Sequence, residues 1–242
     1  MIASKELGFE SNGSSLDDAV KAPLRPRAKL TIFGATGRTG THLLRRALAA
    51  GHAVRVLVRD PSRLTIEHPQ LEVQRGDARD PEAIDRAIAD SSVVLSALGH
   101  TPTSGVDVLT VAASNVVNAA RRHGVTRIVA LTSGSIPDPR DRPSVGFRCL
   151  VWLFTLLFFR RFRDARQQAE VLRNSGLDVV LVRATRLSDE PGTGRIRAGY
   201  VGRRVHPTIP REDVAVFMLQ QTDSDEFSRR MPMVIRAPAV DA

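Results

Sequence analysis

The chain has 242 residues, 42% of them apolar and 25% charged, enough to build one large globular domain around a sizeable core. Its formal net charge is +9, yet the cations are spread along the sequence and aromatics make up only 5%, which argues against a nucleic-acid-binding face. Cys149 is the only cysteine and the six histidines are scattered, so an intrachain disulfide is excluded and no metal site is expected.

Residues 1–28 carry glycine, serine and proline without a sustained apolar period and read as a flexible N-terminal tail, with a short helix near Leu16–Val20. The stretch lacks the apolar segment of a secretory signal. Residues 29–236 read as a single domain and 237–242 as a C-terminal tail.

The first strand, Lys29-Leu30-Thr31-Ile32-Phe33, runs directly into Gly34-Ala35-Thr36-Gly37-Arg38-Thr39-Gly40 and then into a helix that Gly51 stops. Strand, glycine-rich turn and helix form a dinucleotide cradle. One glycine makes the turn, one lets a pyrophosphate approach the backbone, and one lets helix and strand pack closely. The helix N-terminus supplies free N–H groups to the phosphates.

Ala53–Val58 is a second strand, and it ends in Arg59-Asp60-Pro61-Ser62-Arg63. An acidic residue at this place binds the ribose hydroxyls of NAD, whereas arginine accommodates the 2′-phosphate of NADP. Arg59 occupies it, so NADP is favoured. The alternative is that Asp60 is the acidic residue shifted by one, but the Asp-Pro pair suits it to capping the next turn.

Leu71–Arg75, Ser92–Leu98 and Arg127–Leu131 follow as strands, separated by helices beginning at Asp80-Pro81-Glu82 and spanning Val106–Arg122. The latter places Leu109, Ala113, Val116, Val117 and Ala120 on one face. This alternation is that of an α/β doubly wound parallel sheet, an NAD(P)-binding Rossmann fold.

The C-terminal half is less regular and forms the substrate side. An apolar run at 149–159 leads into a helix ending near Asn174, and its flanking residues predict burial of Cys149. Leu177–Arg183 is a sixth strand, a hairpin is expected around Arg195–Arg203, a helix runs from Pro210 to Gln221, and Met233–Ile235 reads as an edge strand. The 149–159 run is too short to span a bilayer. It reads as pocket wall, buried helix or oligomer contact, with membrane-surface contact through 149–163 the less favoured option.

On these segments the chain resembles the atypical short-chain dehydrogenase/reductase family that includes the biliverdin-IXβ (flavin) reductases and the NmrA-like NAD(P)-binding proteins. The matching pieces are G-A-T-G-R-T-G at 34–40, V-L-V-R-D-P-S-R at 56–63, G-D-A at 76–78, T-S at 132–133, L-R-N-S-G-L-D at 172–178, V-R-A-T-R-L-S-D at 182–189 and P-R-E-D-V-A at 210–215. The resemblance implies that Gly34, Thr36, Gly37, Arg38 and Thr39 hold the pyrophosphate, and that Arg59 and Arg63 face the adenosine end. It also implies that Asp77 and Ala78 border the adenine, and that Ala97, Leu98 and Gly99 run beneath the cofactor.

One departure from the wider superfamily stands out. No lysine follows Lys29 and Tyr200 is the only tyrosine, so the usual Tyr-x-x-x-Lys dyad has no place here. The corresponding positions are Phe162 and Arg166; Arg166 can touch ribose or phosphate but never acts as a base. Ser133 is the best polar candidate beside the nicotinamide, with the alternative of satisfying loop backbone. Arg186 stands where the bilin reductases carry a histidine. It is suited either to a substrate carboxylate or phosphate or to a salt bridge with Asp189.

The resulting expectation is an NADP(H)-binding oxidoreductase that transfers hydride to a small apolar or aromatic acceptor, cytoplasmic, with homo-oligomerisation left open. The alternative is a non-catalytic NADP(H)-sensing protein of NmrA-like type. A nucleotide-sugar epimerase is disfavoured by the missing dyad.

Overall fold

The computed structural model describes residues 28–144, 146, 149, 152–153, 159–201 and 208–237. All but the last residue of the expected N-terminal tail, including its helix, most of the 149–159 run and all but the first residue of the C-terminal tail lie outside the described residues.

Eight strands form one sheet in the order β3-β2-β1-β4-β5-β6-β10-β8. They are β1 (Lys29–Phe33), β2 (Ala53–Val58), β3 (Leu71–Arg75), β4 (Val93–Ser96), β5 (Arg127–Ser133), β6 (Asp178–Ala184), β8 (Ile196–Gly199) and β10 (Met233–Arg236). All neighbours run parallel except β8, which pairs antiparallel with β10. The order reverses between β1 and β4, and a crevice at that switch point is where open α/β sheets bind ligands.

Central strands buried on both faces read as near-continuous apolar runs, and β1 and β6 do so over their buried residues with Thr31 and Arg183 as the polar exceptions. In β1, Leu30 and Ile32 pack on one side with helices α1 (Arg38–Ala49) and α5 (Arg211–Gln220). Phe33 packs on the other with α2 (Pro81–Ile88), α3 (Val108–His123) and α4 (Phe159–Arg173). The same alternation separates Val180 and Val182 from Val179 and Leu181 in β6. Every apolar position expected on α3 is buried.

Three expectations need correction. Among the described residues of the 195–203 stretch, β8 pairs with β10 rather than within a local hairpin, and residues 202–207 lie outside the described residues. Because β8 flanks it, β10 is an interior strand, which accounts for its unbroken apolar run. A second, two-stranded parallel sheet joins β7 (Arg186–Ser188) to β9 (Thr208–Pro210), a pairing that no local pattern announced. Cys149 is exposed rather than buried as expected.

Candidate functional site

The loop between β1 and α1 is closed on itself by a hydrogen bond from Gly37 N–H to the Gly34 carbonyl at 2.9 Å. Gly34 takes φ +80°, and a Cβ there would lie 2.7 Å from the Ala97 carbonyl oxygen of the neighbouring strand end. A Cβ on Gly40 would sit 1.9 Å from the Gly34 carbonyl oxygen, so helix and turn come closer than any side chain permits. Gly37 is the N-cap of α1, with no side-chain cap and no acidic residue in the first turn. An N-terminus so stripped of competing acceptors fits a bound pyrophosphate. Thr39 is buried and Thr36 half-buried at this turn.

At the end of β2, Arg59 and Arg63 are both exposed. Among the described residues the Arg59 guanidinium reaches only the Thr101 hydroxyl, at 3.4 Å. Asp60 is engaged elsewhere: its carboxylate accepts from Ser62 N–H at 3.1 Å and Ser62 Oγ at 2.7 Å, capping the 3₁₀ turn Pro61–Arg63. The Ser62 side chain, then its backbone N–H, hold the Asp60 carboxyl below its usual range. Asp60→Ala should therefore lower the thermal midpoint slightly and leave NADH affinity within about twofold. A roughly tenfold loss of NADH in a binding titration would reassign Asp60 to the ribose.

Asp77 caps its own turn through Arg79 N–H at 2.9 Å, and the Ala78 carbonyl accepts from the Asn115 side chain at 3.1 Å. These bonds fix the backbone of Gly76-Asp77-Ala78 beside the end of β3.

A cavity of about 460 Å³ opens past the carboxyl ends of β4, β5 and β6. Leu98 and Gly99, Ser133, Phe162, Arg186 and Arg211 line it, which brings the strand-end residues and both catalytic candidates to one space. The Ser133 hydroxyl accepts from Ser135 N–H at 3.3 Å, so it serves loop backbone while its own proton stays available. Thr185 lines the same cavity, and its hydroxyl is buried with no partner. A buried hydroxyl left unmade is costly, and this one was not singled out in the sequence.

His100 also lines the cavity and bonds through Nε2 to Asp164 at 2.9 Å. Asp164, on α4 and 2% exposed, accepts in addition from Leu109 N–H, Thr110 N–H and the Thr110 hydroxyl at the first turn of α3. A carboxylate from one helix thus caps another. It locks α4, and with it Phe162, against the strand ends.

The arginines distribute differently from expectation. Arg38 donates to Asp189 at 2.8 Å, and Arg211 donates to the other oxygen of the same carboxylate at 2.7 Å. The Arg186–Asp189 salt bridge is therefore not formed, because Asp189 is taken by Arg38 and Arg211. Burial first, and then the charge of Arg38, pull the pKa of Arg211 below its usual value. Arg166 is not brought to the strand ends. It is exposed, pairs with Glu170 one turn along α4, and lines a different cavity.

That second cavity, of about 790 Å³, lies on the far side of Phe162, which lines both. Ile136, Pro137, Trp152, Phe159 and Val201 supply an apolar lining. Its loop wall is pinned by Arg183, which is fully buried in β6. Arg183 makes a two-pronged pair with Asp141 and donates to the carbonyls of Met231 at 2.8 Å and Ile136 at 2.9 Å.

Among the described residues no three His, Cys, Asp or Glu side chains converge as a metal site, and no helix is long and apolar enough to cross a membrane.

The chain belongs to the NAD(P)H-binding family, whose model matches residues 34–225. An uncharacterised chloroplastic protein of Arabidopsis thaliana is 27% identical over 87% of this chain and 78% of its own. The (4-alkanoyl-5-oxo-2,5-dihydrofuran-3-yl)methyl phosphate reductase of Streptomyces griseus is 28% identical over 83% of this chain; the match spans only 65% of that enzyme. Among solved structures, a short-chain dehydrogenase/reductase of Veillonella parvula in complex with NADP superposes with a TM-score of 0.73, covering 86% of this chain and 94% of its own at 20% identity. The fold and the family expected from the glycine loop and its companion segments are those found.

Proposed function

We propose that the protein is an NADPH-dependent reductase of a small apolar or aromatic acceptor, working without a tyrosine–lysine pair. The observation that carries this reading is the junction at Phe162. There the cavity at the strand ends, which holds Ser133 and Arg186, adjoins a larger apolar cavity of a size suited to a small molecule. The Streptomyces relative, named a reductase, supports the same direction.

NADP is preferred over NAD because Arg59 stands exposed at the ribose position while Asp60 is consumed by its turn. Gly34, Thr36, Gly37, Arg38 and Thr39 hold the pyrophosphate at the uncapped helix end. Arg63, Asp77 and Ala78 frame the adenosine side. Ala97, Leu98 and Gly99 form the floor.

When bound, the reduced nicotinamide supplies the hydride, and the protein's part is to place the two reactants and exclude water. Phe162 presents an apolar face where the superfamily's tyrosine would stand. Ser133 donates its hydroxyl proton as a hydrogen bond to the acceptor's oxygen or to a water that protonates it. Arg186 lines the same space with a guanidinium that Asp189 does not take, and it binds an anionic oxygen of substrate or cofactor.

The test is steady NADPH oxidation with a panel of quinones, flavins and carbonyl compounds. Turnover is expected with at least one class, and Ser133→Ala should lower kcat roughly tenfold at unchanged NADPH affinity, the size of one lost donor at the reacting oxygen. Tight NADPH binding with no turnover across the panel would overturn the reductase and leave the NADP(H) sensor.

A further inference from the structure

The larger cavity has an apolar lining but not a neutral one. Two acids and three arginines line it, and the acids are spent. Asp138 receives the backbone N–H of Arg140 at 2.9 Å and its guanidinium at 3.0 and 3.2 Å. Burial pushes the Asp138 carboxyl up, but these bonds outweigh it and hold the group below its usual range. Both oxygens of Asp141 are filled by Arg183, by Val201 N–H at 2.9 Å and by Asp138 N–H at 2.8 Å. Every carboxylate oxygen of the two acids already accepts at least one hydrogen bond.

The arginines are in the opposite condition. Arg166 is paired with Glu170, but among the described residues the guanidinium groups of Arg142 and Arg163 meet no carboxylate or other acceptor. Two unmatched cations therefore face a cavity whose other walls are Ile136, Pro137, Phe162 and Val201. Trp152 and Phe159 line it as well while remaining 68% and 59% exposed. A wall that keeps aromatic surface open beside uncompensated guanidinium groups matches a molecule with both properties.

We infer that this cavity takes an amphipathic anion, a compound with a flat or aliphatic body and a terminal carboxylate or phosphate. The body lies against Ile136, Phe162 and Trp152, and the anionic end is held by Arg142 and Arg163. The inference rests on placing the acceptor in this cavity, and it narrows the acceptor from apolar to apolar with a negative end. Guanidinium groups bind carboxylate and phosphate in two-pronged fashion, so a neutral analogue of the same body forgoes the charged bonds and keeps only the apolar part.

Trp152 is the only tryptophan, which makes its emission a direct reporter of the cavity. The full chain, loaded with NADP⁺, is titrated with octyl phosphate, octanoate and octanol, all below their aggregation limits, with calorimetry on the same samples as a second measure of binding. Both anions should bind at least about tenfold tighter than octanol, with the gap shrinking as salt rises. Arg142→Ala and Arg163→Ala should each weaken the anions about tenfold and leave octanol unchanged, and Arg142→Lys should restore part of the loss. Equal affinity for octanol and the anions, equal loss for all three in the variants, or no saturable binding by either method would each overturn the inference. No turnover enters the measurement. A failed reductase assay thus leaves the ligand class standing, and a failed titration leaves a reductase with a neutral acceptor.

Discussion

Replacing Arg59 with alanine should raise the Kd for NADPH by roughly 10- to 100-fold while changing that for NADH by less than about threefold. The asymmetry follows from what Arg59 touches. Its one polar side-chain contact among the described residues is the 3.4 Å approach to Thr101 Oγ1, too long to matter to the fold, and its side chain is exposed. The substitution therefore costs the protein almost nothing in stability. On the proposed reading it removes a charge-assisted pair with the 2′-phosphate, worth about 1.5–3 kcal/mol, which sets the size of the effect. NADH has no such phosphate. Because the pair is exposed, the NADPH preference should also fall with ionic strength. Equal weakening of the two cofactors in parallel fluorescence titrations would sink the assignment and place Arg59 against the adenine or the ribose.

Much of this site could be read from the sequence because its signals are local. The cradle is seven consecutive residues whose glycines answer to contacts within the turn or with the adjacent strand. The Asp-Pro pairs at 60–61 and 80–81 announce capped turns, and both aspartates accept from the N–H two residues on. Alternation of strand and helix fixed the layers of the sheet as far as β6.

What escaped reading depends on partners far apart in sequence. Asp164 caps a helix that starts more than fifty residues before it, and no spacing rule connects the two. Arg38 sits inside the best-read motif, yet its ion-pair partner Asp189 lies 151 residues away. The interior position of β10 depended on β8 adding outside it, and β8 carries two arginine-or-glycine positions in a four-residue strand. Cys149 shows the converse: an apolar run in sequence did not mean that this residue is buried. The second cavity is likewise a product of loop and helix meeting, with Ile136 and Phe162 contributing to one wall.

The pair Arg183–Asp141 joins that cavity to the stability of the fold, and Asp141→Ala should cost about 3–5 kcal/mol. Arg183 is 0% exposed, so removing its partner strands a buried guanidinium with the Met231 and Ile136 carbonyls as its remaining acceptors among the described residues. For a chain of this length the thermal midpoint should fall by roughly 6–20 °C. Asp141→Asn keeps two acceptor contacts at most and should fall between the variant and the parent. A paired replacement, Asp141→Leu with Arg183→Met, removes both charges and should recover most of the loss, since buried ion pairs exchanged for apolar residues of similar volume are often neutral. The functional consequence should be just as selective. Asp141 also holds Val201 and Asp138 through their backbone N–H groups, so the loop wall of the larger cavity depends on it. Among the described residues no backbone hydrogen bond joins the cradle at Gly34–Gly40 to this network. Below its melting point, Asp141→Ala should retain NADPH binding within about threefold while its apolar cavity loses affinity for any ligand that fills it. Loss of less than about 1 kcal/mol on chemical unfolding would mean that Arg183 is solvated or re-paired, and that the wall is held by other means.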